Sequence, residues 1–188
     1  MSQLEAKVDT LTLAINRAGS DGTGTRRGIE TITEFFGADF ARTLREERGA
    51  ADLVIGNNVL AHVPDINDFV AGITTLLGPE GVATLEFPHL LELVLKRQFD
   101  TVYHEHFSYL SLHVVRRIFS AHGLRIWDVE SLPTHGGSLR VFVQRIHQGS
   151  GLFPAERGID RVEGELPVWQ IARPGRRILL IAHAGTNA

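Results

Sequence analysis

An open α/β sheet, mostly parallel and finished by an antiparallel hairpin, is the fold class this sequence predicts. The first observation is an alternation, from Gly28 to Ile146, of short apolar runs with amphipathic helical stretches. That is the pattern of parallel strands joined by crossover helices. The second is that the last two runs, "LRIWDVESL" and "SLRVFVQRI", are joined only by "PTHGG", enough for a hairpin and too little for a crossover. The third is length: 188 residues suffice for one such domain with a real core and are too few for two comfortable ones.

The first segment, "SQLEAKVDTLTLAINRAGSDGTG", reads two ways. Leu4, Val8, Leu11 and Ile15 recur at helical spacing, while Leu11, Leu13 and Ile15 alternate as in a strand that runs into a glycine-rich turn. Next, "IETITEF" is β-branched and fits a short strand. "ADFARTLREERG" predicts a helix with Phe40 and Leu44 on one face, stopped by Gly49. "ADLVIGNN" is a continuous apolar run with a polar end, the mark of a buried parallel strand delivering its carboxyl end to a site. "DINDFVAGITTLLGPEG" puts Ile66, Phe69, Val70, Ile73, Leu76 and Leu77 on one helical face, with Gly78 and Pro79 as the stop.

"GVATLEFP" is the following strand, and Pro88 opens the helix "HLLELVLKRQ". "SLHVVRRIFSAHG" is a helix with Leu112, Val115, Ile118 and Phe119 inward and Gly123 past its end. From Gln148 the chain loses its period until one strand-like run, "RRILLIAHAG". The order predicts helices on both faces and ligands outside the carboxyl ends of the parallel strands. "NNVLAH" and "FPHL" both leave those ends.

Composition narrows the class. The net charge is −3, from 19 Lys+Arg against 22 Asp+Glu, with no basic tail or stripe for nucleic acid and no basic amphipathic helix for a membrane. No cysteine is present, which excludes disulfides, thiolate chemistry and cysteine-type zinc sites. No apolar run approaches a membrane span and the start lacks a signal core, so a cytoplasmic location is the expectation.

The stretch "FDTVYHEHFSYLS" crowds Tyr103, His104, Glu105 and His106 between a basic pair and an apolar helix. Read as an extended segment, His104 and His106 share one face and Tyr103 and Glu105 the other. Three readings stand: a proton-transfer cluster in which a carboxylate or phenol tunes an imidazole, a His-x-His metal pair, or a packed polar patch under a loop. Asn57 and Asn58 at a strand end suit hydrogen bonding to a ligand, with His62 one turn on, though Asn58 alone equally suits a cap. In "LPTHGGSLR" the glycines suit a tight hairpin loop, and His135 at its tip is the reason to look further. "AGSDGTG" has the composition of a nucleotide-binding glycine loop, yet no clear helix follows it to aim N–H groups at a phosphate.

Taken together, "ADLVIGNNVLAHVPDINDFV", "GVATLEFPHL", "QFDTVYHEHFSYLSL" and "LPTHGGSLRVFV" resemble the sugar C-methyltransferases that act on nucleotide-linked keto-sugars with S-adenosyl-L-methionine (SAM). The similarity runs from about Gly28 to Val143. It implies a class I (Rossmann-like) methyltransferase sheet, with deoxysugar biosynthesis as its context.

Residue by residue, the resemblance implies that His106 is the general base, with Tyr103, Glu105 and His62 beside it. It implies that His135, Gly137 and His104 meet the sugar. Asn57, Asn58 and Gly22 lie where the cofactor would be held. Metal has no part in that reaction.

The departures are equally definite. The family's cysteine-rich zinc domain has no counterpart, and the glycine-loop region runs straight into the third strand. The expected organisation is therefore an N-terminal segment (1–27) with a degenerate glycine loop, a methyltransferase-like core (28–147) and a remnant of a second α/β domain (148–188). Unless "TLTLAIN" takes the place of the first strand, the strand at Asp52 to Asn58 is left as an apolar edge that invites association. The alternative to an enzyme is an inactive, truncated homologue.

Overall fold

The computed structural model describes residues 12–16, 30–32, 34–102, 104–146 and 177–182. Its strands are β1 (Thr12–Asn16), β2 (Glu30–Ile32), β3 (Ala51–Asn57), β4 (Leu77–Pro88), β5 (Leu124–Leu132), β6 (Ser138–Arg145) and β7 (Ile178–Ala182). The helices are α1 (Ala38–Arg48), α2 (Ile66–Leu76), α3 (Leu90–Leu95) and α4 (Leu112–Ala121).

All seven strands form one sheet in the order β2-β1-β7-β3-β4-β6-β5. Only β6 runs against the rest, pairing antiparallel with β4 and β5. The mostly parallel sheet with its terminal hairpin is thus present. The first segment's ambiguity resolves to a strand, β1, yet the place beside β3 is taken by β7. Leu53 pairs with Ile178 on one side and Val82 on the other, so β3 is an interior strand. A run of Ile, Leu and Ala with no charge between Ile178 and Ala182 suits that fully flanked position. β7 belongs to the segment expected as a remnant of a second unit, and it pairs in the same sheet as the core.

Side chains alternate across the sheet with the strand period of two. Val54, Ala83, Leu85, Val141, Val143 and Leu179 face α1, α2 and α4 in one continuous core. Leu53, Val82, Trp127 and Phe142 form a second buried cluster on the other face. Helices are expected on both faces, and among the described residues α1, α2 and α4 pack on one. The segments leading from β1 to β2 and from β6 to β7 lie outside the described residues.

The helices are stopped and joined by polar groups from elsewhere. Asp65 caps α2, its carboxylate accepting from the amides of Asn67 and Asp68 at 3.0 Å, a contribution of about 1 kcal/mol. Asp68 in turn accepts from the Ala38 amide at the start of α1, where Gly37 has no side chain to do so. Arg45 donates to the carbonyls of Thr75 and Leu77, and Arg145 donates to those of Thr74 and Leu77. Two cations therefore sit at the C-terminal end of α2, where the helix dipole favours them. A Cβ on Gly72 would lie 2.8 Å from the Gly37 carbonyl oxygen, so this mid-helix glycine allows α2 to approach the loop before α1.

Two boundaries move from their sequence expectation. α2 ends at Leu76 rather than at Gly78 and Pro79, because Leu77 already pairs with Ala51. Pro88 does not open α3; it closes β4 opposite Ser138, and His89 donates its amide to the Gly137 carbonyl before the helix begins at Leu90. Among the described residues no helix is long and apolar enough to cross a membrane.

Candidate active site

Because β3 and β4 are parallel, they deliver their carboxyl ends to the same edge. Asn57 is exposed there, beside Glu86 of β4 in the register. Asn58 turns the chain with a left-handed φ of 52°, a conformation Asn tolerates better than most residues. Its amide donates to the Glu86 carbonyl at 2.8 Å. Its Oδ1 is buried with no hydrogen-bond partner among the described residues.

The turn after Asn58 carries His62, only 5% exposed although it is an imidazole. Its Nδ1 lies 3.0 Å from the Glu105 carbonyl oxygen. A carbonyl only accepts, so Nδ1 carries the proton and the basic lone pair is on Nε2. The backbone carbonyl of Glu105 thus accepts from His62. The loop is tied down further by the Phe107 and Ser108 amides, which both donate to the Ala61 carbonyl.

That loop sets His106 against His62, with ring centroids 4.7 Å apart and planes at 62°. His106 Nδ1 donates to the Thr101 carbonyl at 3.2 Å, which again leaves the basic lone pair on Nε2. Partial burial holds the His106 pKa below its ordinary value, and the neighbouring His62 and His135 push it further down. The Thr101 hydrogen bond and the Glu105 charge oppose this in part. The ring is accordingly neutral near pH 7, the form a general base needs.

Tyr109 completes the cluster, its ring 5.7 Å from His106 and nearly perpendicular at 85°. Tyr103, the phenol the sequence reading expected beside His106, lies outside the described residues, and Tyr109 is a second phenol that reading did not single out. Leu110 is buried and bridged to His89, which anchors Tyr109 beside the site. His104 is exposed. Among the described residues no three His, Asp or Glu side chains gather as metal ligands.

The "THGG" loop lies alongside. Thr134–Gly136 forms a 3-10 turn with His135 at φ 51°, ψ 34°, left-handed values that cost a non-glycine residue about 1–2 kcal/mol. Both glycines also have positive φ and are closely packed. A Cβ would lie 2.3 Å from Gln98 at Gly136 and 2.8 Å from Glu92 at Gly137. The Gly136 carbonyl accepts from Lys96 Nζ and Gln98 Nε2. Gly137, expected on the sugar-binding wall, therefore packs against α3. Neighbouring His89 is held below its ordinary pKa by burial, with Glu92 opposing.

Sequence reasoning missed Glu86 and Thr134. Glu86 is a carboxylate in an apolar run, "ATLEFP", and that misplacement was the available signal. Gly22 lies outside the described residues.

A neutral imidazole, a second buried imidazole and a phenol thus gather at the carboxyl edge of a Rossmann-like sheet, the edge where such sheets bind their ligands. A methyltransferase domain model matches residues 6–129, and the chain belongs to that family. Its sheet is the class I methyltransferase fold. More particularly, the chain is 44% identical over 121 residues to the C-methyltransferase NovU of Streptomyces niveus. That match covers 64% of this chain but 29% of NovU, so the chain spans under a third of its relative.

Solved structures share the fold. The magnesium protoporphyrin IX methyltransferase ChlM from Synechocystis PCC 6803, solved with bound SAH, aligns with a TM-score of 0.50 at 14% identity, covering 72% of this chain and 74% of its own. The PH0226 protein of Pyrococcus horikoshii OT3 aligns with a TM-score of 0.53 at 13% identity, over 72% and 82% of the two chains.

Proposed function

We propose that this chain is a SAM-dependent C-methyltransferase that methylates the carbon next to the ketone of a nucleotide-linked keto-sugar. Deoxysugar biosynthesis in the cytoplasm is the proposed setting. The observation that carries the reading is the His62–His106 pair. Each ring has its Nδ1 proton committed to a backbone carbonyl, and His106 is held in its neutral, basic form.

A carbon beside a ketone is not nucleophilic until it loses a proton. His106 Nε2 takes that proton, and hydrogen-bond donors around it stabilise the enolate oxygen as charge develops there. Tyr109 is the described candidate for that second task and Tyr103 a further proposal, while His62 and Glu105 are proposed beside His106, where they act on its pKa in opposite directions. His104, His135 and Gly137 are proposed for the sugar side. Bound SAM supplies an electrophilic methyl group.

The carboxyl ends of β3 and β4 fit such a cofactor: the buried, unpartnered Oδ1 of Asn58 is an acceptor awaiting a donor. Asn57 and Asn58 are the residues proposed to hold it, with Gly22 from the glycine-rich segment.

The test is α-carbon exchange in deuterated water, with S-adenosylhomocysteine present and a nucleotide-linked keto-sugar as substrate. Calorimetric titration of SAM and S-adenosylhomocysteine runs alongside. The wild type should exchange and bind, and His106→Gln should bind without exchanging, at a rate lower by about 10²–10⁴-fold. A specific observation favours the alternative, an inactive homologue. β7, not a strand followed by the glycine-rich segment, stands beside β3. A folded, monodisperse wild type that binds neither compound would establish that alternative.

A further inference from the structure

Glu86 is 6% exposed, and buried carboxylates are kept only when their oxygens are occupied. Both are. Oε1 accepts from the Thr134 hydroxyl at 2.7 Å, and Oε2 accepts from Arg140 at 2.9 Å. Arg140 reaches Glu130 with its other terminal nitrogen at 3.1 Å. The strand register puts Asn57, Glu86, Arg140 and Glu130 side by side on β3, β4, β6 and β5. This polar row therefore crosses the sheet at its carboxyl edge.

The Thr134 bond is the informative one, because it joins the row to the loop rather than to another strand. Thr134 also holds the loop's shape, its carbonyl accepting from the Gly137 amide and the Ser138 hydroxyl. From the opposite side Gln98 and Lys96 grip the Gly136 carbonyl. His135 stands between these two attachments in its left-handed conformation. Such a conformation persists only where its surroundings impose it.

We infer that Glu86 is a positioning residue: its carboxylate, through Thr134, fixes the turn that carries His135 at the site's edge, in register with Asn57 on the cofactor side. That His135 then meets the sugar rests on the function proposed above; the positioning does not. A carboxylate that served only to join strands would need Arg140 and no link to the loop.

The test uses histidine-labelled full chain and reads each imidazole by NMR in the wild type, Glu86→Ala, Glu86→Gln and Thr134→Val. The His135 signal should move in Glu86→Ala and Thr134→Val and return most of the way in Glu86→Gln, which keeps an acceptor for Thr134. His113 and His122, on α4 and at its end, should stay in place. Where the wild type is active, Glu86→Ala should raise the substrate KM about five- to tenfold with a smaller change in kcat.

An unmoved His135 in both Thr134→Val and Glu86→Ala would overturn the inference. If Glu86→Ala does not fold, Thr134→Val alone decides, since it removes a single hydrogen bond. Failure of the functional reading looks different: His135 still responds, while the wild type neither binds nor exchanges.

Discussion

The two halves of the sheet are assembled by different rules. β3, β4, β6 and β5 come from one continuous stretch, and their helices return each strand close to the one before it. β2, β1 and β7 join opposite ends of the chain: Thr12 pairs with Ile178 and Asn16 with Ala182. The candidate site residues His62, His106, Tyr109 and His135 all belong to the first half or to loops that leave it. The second half contributes the strand that covers β3. Closing it draws together segments far apart in sequence, which carries a larger loop-closure cost before any packing repays it. The lesson is that the half carrying the candidate site is specified locally, while the half that flanks β3 depends on long-range pairing.

Breaking the long-range half should have the largest effect. Leu179 is 3% exposed and lies in the core between β1 and β3, and Leu179→Asp would bury an unpaired charge there. Amide hydrogen exchange should then show β1 and β7 losing protection while the β4–β6 pairs keep most of theirs. Equal loss across the sheet would mean the halves are one cooperative unit.

A probe of the local half is Gly72→Ala. Helix propensity alone would make it stabilising by about 1 kcal/mol, but the close approach to the Gly37 carbonyl should make it destabilising by about 1–3 kcal/mol. A rise in the denaturation midpoint would show that the α1–α2 contact yields easily.

The third prediction concerns pH. His106 and His89 have folded-state pKa values below their ordinary 6.5. Between the folded value and 6.5 the unfolded chain therefore binds more protons. The stability tied to these groups is present above 6.5 and is lost as pH falls through the folded values. Denaturant midpoints at pH 7.5 and 5.5 should differ in that direction, and His106→Gln should narrow the gap. The acid limb of the exchange reaction should likewise fall below 6.5, and His62→Gln should move it up by removing one of the influences that lower His106. A limb at or above 6.5 would contradict the placement of His106.

The smallest effect is expected for Arg42→Ala. Its ion pair with Asp39 is 2.9 Å long but 61% and 94% exposed at the two side chains, and such pairs contribute about 0–1 kcal/mol. A chemical melt should barely move.

Much of this was legible before any coordinates. The strands at Ala51 and Leu124, the helices at Ile66 and Leu112 and the hairpin all followed from apolar period and stop signals, because each depends on residues within one turn or one pleat. The segments that carry Asn57 and His62 and those that carry Glu105 and His106 were expected at one edge, because one topology rule sends both from the carboxyl ends of parallel strands. The assignments that shifted depended on remote partners. Pro88 stays in β4 because Ser138 is opposite it, and α2 stops at Leu76 because Leu77 pairs with Ala51. Glu86 went unread because its partners, Thr134 and Arg140, lie far along the chain.

By itself the sequence determined the class of sheet, its local strand order and the crowding of His106 with its neighbours, since periodicity and turn chemistry act over a few residues. Only the tertiary structure decided which strand lies beside β3, that Tyr109 packs against His106, and that a buried carboxylate ties the His135 loop to the sheet. Those outcomes are choices among remote segments with similar local preferences, and packing and hydrogen-bond partners settle them only once the chain has closed on itself.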